Sequence, residues 1–266
     1  MLHKLLMLFP SYRQRERIAQ YLIDLKTQNA TLLFVLLHQK DMTIDFSYED
    51  HICRFFLPCA CYDSIQNTIA STSSFYEAGL LRKVRPYLRE GMVYADIGAN
   101  IGNHVVFFSK VCNAEKGYAF EPQKHVFEIL RRNVTINDLS EKVELHNVCL
   151  GKSKGTCAIT SFQTDNCGGT SFRESPKGAY NVLSLDSLEI PRIDFIKIDV
   201  EGAEMDVLLG AEKTISEKRP VVWCEALNRE SLKRLIQFFR RYGYIRRKIS
   251  DTDFLFIPEE NGDKHT

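Results

Sequence analysis

The 266-residue sequence predicts an α/β fold with a doubly wound, Rossmann-like sheet that is mostly parallel and closes with an antiparallel β-hairpin. Three observations predict it. Strands alternate with helices after about residue 90, a glycine-rich turn follows the first of these strands, and only a short turn separates the last two strands. We expect residues 1–72 to form an N-terminal extension of one helix and short strands, and residues 73–266 to form the sheet domain.

The individual elements follow from the apolar pattern. In the extension we predict a helix at 12–28 and strands at 31–37, 42–48 and 51–57. The sheet strands are predicted at 93–97, 117–120, 143–150, 195–200 and 221–225, with the closing pair at 244–249 and 253–257. The helices between them are predicted at 103–111, 123–137, 203–216 and 230–242. An insertion at 151–192, with an extra strand at 155–162 and another edge element at 180–188, can lie over the ligand-binding edge of the sheet.

Composition and charge narrow the class of protein. Lys and Arg number 35 against 34 Asp and Glu, and the net charge of +1 gives no field that would attract nucleic acid or an anionic membrane. The apolar runs near the N-terminus are too short to span a bilayer. The eight cysteines form no CxxC pair and suit a reducing compartment. We therefore expect a cytoplasmic protein with no membrane span and no nucleic-acid partner.

A glycine-rich turn follows the first strand of the sheet, where residues 96–102 read Asp-Ile-Gly-Ala-Asn-Ile-Gly. Gly98 and Gly102 permit positive φ and would let a ligand approach the backbone. Asn100 stands where nicotinamide-binding turns have their middle glycine. Asp96, at the strand end, suits a ligand that carries positive charge rather than a pyrophosphate. The alternative is a turn that only packs a helix against a strand.

Two further acidic positions follow strands of the same sheet. Glu121, 19 residues after Gly102, can accept hydrogen bonds from the hydroxyls of a ribose, although it could also cap the next helix. Asp199 and Glu201 follow the fourth strand, where alternation would point both carboxylates the same way. We expect one of them to hold a cofactor ammonium and the other to meet the substrate. The alternative is a surface acid pair at a helix start, with Lys197 neutralising one member.

These motifs resemble the FkbM family of methyltransferases. The resemblance lies in residues 96–102, 120–122 and 198–204, with further matches at 75–77 and 184–188, and it covers about residues 63–258. It implies the class I methyltransferase fold, S-adenosylmethionine as the cofactor, and a hydroxyl of a sugar, glycan or natural product as the acceptor. By the same resemblance Asp96, Gly98, Asn100, Gly102 and Glu121 would contact the cofactor. Asp199 and Glu201 would line the reaction cleft, with Asp199 on the cofactor side.

A hydroxyl acceptor needs a base that removes its proton during methyl transfer. The candidates are Glu201 first, then Glu225 at the end of the fifth strand, then His104 beside the glycine-rich turn. No His/Asp cluster has metal-ligand spacing along the chain, so we expect no metal. The acceptor cannot be deduced from these residues. We expect residues 1–60 to shape its site or to mediate contacts in a homodimer.

Two other functions compete with this prediction. A nicotinamide-dinucleotide oxidoreductase would use a similar turn, but Asn100 and the closing hairpin argue against it. A protein that binds S-adenosylmethionine without catalysis would keep the fold. The intact acids at positions 96, 121, 199 and 201 argue against that reading.

Overall fold

The computed structural model describes residues 24–31, 41–161 and 170–262. The strands in these ranges are β1 (Thr43–Tyr48), β2 (His51–Phe56), β3 (Val93–Ile97), β4 (Lys116–Phe120), β5 (Val143–His146), β6 (Cys149–Leu150), β7 (Gly155–Ser161), β8 (Ser171–Glu174), β9 (Tyr180–Leu183), β10 (Phe195–Ile198), β11 (Val221–Glu225), β12 (Tyr244–Lys248) and β13 (Asp253–Pro258).

The principal helices are α1 (Ser64–Thr72), α2 (Ala78–Val84), α3 (Asn103–Val106), α4 (Lys124–Ile136), α5 (Glu204–Leu209), α6 (Glu212–Lys218) and α7 (Arg229–Arg241). Helix α3 continues through a π-helical turn over Phe107–Val111. Asn228 caps α7, because its side chain accepts hydrogen bonds from the backbone N–H groups of Glu230 and Ser231. Within the described residues, no helix combines the length and apolar character that crossing a membrane requires.

The main sheet has seven strands in the order β12-β13-β11-β10-β3-β4-β5. Strands β5, β4, β3, β10 and β11 run parallel, whereas β13 is antiparallel to both β11 and β12. The mostly parallel sheet with a terminal antiparallel hairpin is therefore confirmed. Side chains of β3 alternate between two apolar clusters, with Tyr94 in one and Ala95 and Ile97 in the other. The central strands are buried on both faces, as a sheet covered by helices on both sides requires.

Two predicted elements are divided in the structure. The strand expected at 143–150 ends at His146, and β6 joins a second, four-stranded sheet of order β6-β9-β7-β8 in the insertion. The helix expected at 203–216 breaks into α5 and α6 at Gly210. A Cβ at Gly210 would lie 2.0 Å from the carbonyl oxygen of Gly151, so the close approach of these two backbone segments requires glycine.

The N-terminal extension is described only in part. Residues 24–31 are helical, which confirms the predicted helix over 24–28. The helix continues to Thr31, so the prediction that a strand begins there was wrong, and residues 32–40 lie outside the described ranges. The hairpin β1–β2 packs on α4, where Asn133 accepts from the N–H of Phe56 at 2.7 Å and Asn137 accepts from that of Arg54 at 3.0 Å. The division at residue 72 stays a prediction.

Candidate functional site

A cavity of about 300 Å³ opens where the parallel strands β3, β4, β10 and β11 end. This is the edge at which open α/β sheets bind their ligands, and the volume is at the lower end of the range for ligand pockets. The predicted site residues that line it are Gly98, Asn100, His104, Glu121, Asp199, Glu201 and Glu225. The structure therefore brings together residues that lie more than 120 positions apart in the chain.

Asp96 and Gly102 are not among the residues that line this cavity. Asp96 has an exposed fraction of 0% and lies beside Lys197, whose Nζ is 3.9 Å from Asp96 Oδ1. Gly102 precedes α3 with φ of 90°, and a Cβ there would lie 2.7 Å from the Cδ1 atom of Leu130. Contact of either residue with a cofactor stays a prediction. In the structure Asp96 lies beside Lys197, and Gly102 packs α3 against α4.

Gly98 lines the cavity, but its glycine is needed for a different reason from the one the sequence suggested. With φ of 83°, a Cβ at Gly98 would lie 1.9 Å from the carbonyl oxygen of Asp199. The absent side chain therefore lets the turn after β3 pack against the turn after β10. The two segments are joined by a hydrogen bond in which the N–H of Asp199 donates to the carbonyl oxygen of Ile97 at 3.0 Å.

Glu121 is buried at the end of β4, and two backbone groups fix its carboxylate. The N–H of Asn100 donates to Oε2 at 3.1 Å, and the N–H of Gln123 donates to Oε1 at 2.8 Å. Burial raises the pKa of Glu121 to about 7, although the two backbone hydrogen bonds oppose this rise. Each carboxylate oxygen keeps a second acceptor position, so Glu121 can still accept from two ligand hydroxyls.

Asp199, Glu201 and Glu225 form an acidic wall of the cavity, with one oxygen of each lying within 4.8 Å of the others. Strand β10 ends at Ile198, so a turn brings Asp199 and Glu201 together, and the strand alternation we predicted does not. Glu201 has a left-handed φ of 52° in this turn. Burial, together with the charges of Asp199, Asp253 and Glu201, raises the pKa of Glu225 to about 8. Burial and Asp199 also raise the pKa of Glu201.

The acidic wall has the composition and spacing of a possible metal site, which the sequence reasoning missed. Ligand spacing along the chain does not reveal such a site, because these carboxylates come from two different strand ends. The wall already has one cationic neighbour, because Lys197 Nζ donates to Asp199 Oδ2 at 3.0 Å. The excess of carboxylates over this single ammonium favours any ligand group that carries positive charge.

Lys197 is a buried cation in the central strand β10, with an exposed fraction of 3%. It lies over the ring of Trp223, with Nζ 5.6 Å from the ring centroid. Burial alone would lower its pKa, but the carboxylates of Asp199 and Asp96 outweigh burial and raise the pKa above the usual value. Lys197 is therefore charged at every pH of interest and partly compensates the acids around it.

Sequence reasoning assigned no role to several residues that complete the cavity. Tyr76 and Glu77 precede α2, Thr252 and Asp253 lie in the closing hairpin, and Trp223 lies in β11. Residues 75–77 belong to the family resemblance, which was the only signal for Glu77. Asp253 accepts a hydrogen bond from Trp223 Nε1 at 2.8 Å, a contact that depends on the pairing of β11 with β13.

The charges on the cavity wall limit what it can bind. Of the described residues that line it, Lys197 is the one lysine or arginine, whereas the acids are Glu77, Glu121, Asp199, Glu201, Glu225 and Asp253. A pyrophosphate would meet carboxylates here and no matching cluster of basic groups. A ligand with a ribose and separate cationic groups fits the wall, because Glu121 can bind hydroxyls and the remaining acids can stabilise positive charge.

Comparisons with known proteins agree with this geometry. A family model described as a methyltransferase FkbM domain matches residues 96–246. The methyltransferase sdnD of Sordaria araneosa is 29% identical over a match that covers 44% of this chain and 60% of that protein. The hexuronic acid methyltransferase AglP of Haloferax volcanii is 25% identical, with 55% of this chain and 61% of that protein covered. The chain thus spans about three fifths of the length of these relatives.

A solved structure shows the same fold. The crystal structure of a methyltransferase FkbM from Methylobacillus flagellatus matches with a TM-score of 0.50 and 20% identity, over 72% of this chain and 52% of that one. At this identity the likeness concerns the fold alone. It confirms the class I methyltransferase architecture that the strand order and terminal hairpin indicate.

Proposed function

Because the chain belongs to the FkbM methyltransferase family, we propose that it transfers a methyl group from S-adenosylmethionine to a hydroxyl of a sugar, glycan or natural product. The acid-lined cavity at the carboxyl edge of the sheet carries this proposal. S-adenosylmethionine has an ammonium and a sulfonium, both of which the acids would stabilise. The pyrophosphate of a nicotinamide dinucleotide would be repelled by the same wall, so an oxidoreductase fits less well.

Different residues would bind different parts of the cofactor. Glu121 would accept hydrogen bonds from the ribose hydroxyls, and Gly98 and Asn100 would follow the cofactor along the turn after β3. Asp199 would hold the ammonium through Oδ1, since its Oδ2 accepts from Lys197. Asp96 would act indirectly, because its carboxylate helps to keep Lys197 charged and in place.

The chain's own chemical task is to orient the acceptor and take its proton, because the bound cofactor supplies both the methyl group and its leaving group. Glu201 is the first candidate for the base, since it is half-buried on the acidic wall. Glu225 follows, because a pKa of about 8 leaves much of it protonated at neutral pH. His104 is the weakest of the three, since burial and Lys197 lower its pKa well below 6.5.

The test uses methyl-labelled S-adenosylmethionine and a panel of sugars, uronic acids and natural products that carry hydroxyl groups. We expect the wild-type protein to label at least one acceptor. Glu201→Gln should lose turnover yet keep its affinity for S-adenosylhomocysteine, and the surface variant Glu141→Gln should resemble the wild type. Near-normal transfer by Glu201→Gln would remove Glu201 as the base. Binding of cofactor without transfer to any acceptor would favour the non-catalytic alternative.

A further inference from the structure

Glu77 and His104 form a polar pair on the cavity wall, in which Glu77 has no part in the proposed methyl transfer and His104 is the weakest candidate for its base. Both residues line the cavity, and His104 Nε2 lies 3.8 Å from Glu77 Oε2. This distance is too long for a direct hydrogen bond. The His104 side chain has an exposed fraction of 8%, and within the described part of the chain its Nε2 has no hydrogen-bond partner. A buried polar atom without a hydrogen-bond partner costs free energy unless a ligand supplies that partner.

The local backbone holds Glu77 in this position. Glu77 precedes α2 with a left-handed φ of 56°, a conformation that costs a residue other than glycine about 1 kcal/mol or more. The preceding residue, Tyr76, is fixed by Asn103: its N–H donates to Asn103 Oδ1 at 2.9 Å, and Asn103 Nδ2 donates to the carbonyl oxygen of Tyr76 at 3.1 Å. Asn103 is the neighbour of His104 in α3, so a single contact positions both members of the pair.

The pair offers one hydrogen-bond donor and one acceptor, which together match a hydroxyl group. Burial and the charge of Lys197 lower the pKa of His104 well below 6.5, so its ring is neutral and can present Nε2–H as a donor. Burial, together with the charges of Asp253 and Asp199, raises the pKa of Glu77 to about 7 despite the opposing effect of Lys197. Above that pH, Glu77 offers only acceptors. A hydroxyl can donate to Glu77 and accept from His104 at once.

A carboxylate at the same place would find no such match. It has no proton to donate to Glu77, and it would add a negative charge beside Glu77, Asp199 and Asp253. We propose that Glu77 and His104 form a specificity-determining pair that binds one neutral hydroxyl of the acceptor and rejects a carboxylate there. This inference rests on the proposed function, because it assumes that the acceptor enters this cavity.

The test measures binding of two sugar probes, methyl α-D-glucopyranoside and sodium glucuronate, by ligand-observed NMR at pH 8, with and without S-adenosylhomocysteine. The wild type should bind the glucoside about tenfold more tightly than the glucuronate, because like charges at close range are costly. Glu77→Gln should weaken binding of the glucoside and strengthen binding of the glucuronate, so that the ratio of the two affinities approaches one. His104→Phe removes the donor while keeping an aromatic ring against Trp223. It should weaken binding of the glucoside without changing binding of the glucuronate.

Glu49→Gln is the matched control, because Glu49 is an exposed glutamate with a similar left-handed φ of 50°. It should keep the wild-type ratio. A ratio unchanged by Glu77→Gln, equal or tighter binding of glucuronate by the wild type, or no binding of the glucoside would overturn the proposal. Calorimetric titration with S-adenosylhomocysteine separates the two proposals. If the cofactor product fails to bind, the proposed function is wrong, whereas the sugar ratio without cofactor still decides the role of the pair.

Discussion

Replacing Lys197 by methionine tests how the buried charges of the site depend on one another. The substitution keeps an unbranched side chain of similar length but removes the ammonium that lies 3.0 Å from Asp199 Oδ2 and 3.9 Å from Asp96 Oδ1. Asp96 is wholly buried, and neither of its carboxylate oxygens has a hydrogen-bond partner among the described residues. Losing one partner of a buried ion pair usually costs about 3 kcal/mol or more.

The cost should depend on pH through Asp96. Burial raises the pKa of Asp96 from 3.8 to about 6, although Lys197 lowers it. Because the folded-state pKa lies above the unfolded value, Asp96 makes the free energy of unfolding fall as pH rises from about 4 to 6. Without Lys197 the folded-state pKa rises further, and the fall extends to higher pH. Each unit by which the folded-state pKa of Asp96 rises lowers the free energy of unfolding by about 1.4 kcal/mol at pH 8 but by almost nothing at pH 5.

Urea unfolding of the wild type and Lys197→Met at pH 5 and pH 8 measures this difference. Lys154→Met, at an exposed lysine of the insertion, is the control and should cost less than about 0.5 kcal/mol at both pH values. Adding Asp96→Asn to Lys197→Met should remove the part of the pH dependence that comes from Asp96 and leave the part that comes from Glu77, Glu201 and Glu225, whose pKa values Lys197 also lowers. Equal destabilisation by Lys197→Met at the two pH values would refute the reasoning, because Asp96 would then not be the group that Lys197 compensates.

Three further predictions follow from single contacts. Gly98→Ala should lower the free energy of unfolding in urea by roughly 3 kcal/mol or more, because its Cβ would lie 1.9 Å from the carbonyl oxygen of Asp199. The control Gly91→Ala, which has open space around the position, should lower it by about 1 kcal/mol. Asn228→Ala should lower the free energy of unfolding by about 1 kcal/mol through loss of the α7 cap, without changing cofactor affinity. Affinity for S-adenosylhomocysteine should weaken as pH falls through about 7, where Glu121 becomes protonated. Calorimetry should find that Glu121→Gln binds it more weakly and with a smaller dependence on pH than the wild type.

The sequence predicted the sheet well because its strands are short apolar runs with clear limits. Strands β3, β4 and β11 fall within one residue of their predicted ranges, and the closing hairpin lies where the short turn required it. The predictions failed where tertiary contact decides the outcome. The break between α5 and α6 depends on the approach of Gly210 to Gly151, which no local pattern reveals.

The candidate site could be predicted in its main acids but not in its arrangement. Glu121, Asp199 and Glu225 each follow a strand of one sheet, so topology alone brings them to one edge. Gly98 was identified, but its contact with the backbone of Asp199 depends on how two strand ends pack. Glu77 belongs to the family resemblance at 75–77 but was assigned no role, because it lies outside the region where strands and helices alternate. Only the hydrogen bonds between Tyr76 and Asn103 show that this segment closes the cavity.

Calorimetric titration of the wild-type protein with S-adenosylhomocysteine, and separately with NAD, tests the cofactor assignment most directly. The acid-lined cavity predicts that S-adenosylhomocysteine binds with one site per chain, that NAD does not bind, and that Glu121→Gln weakens the binding. Binding of NAD in preference to S-adenosylhomocysteine, or unchanged affinity in Glu121→Gln, would contradict the assignment of this cavity to S-adenosylmethionine.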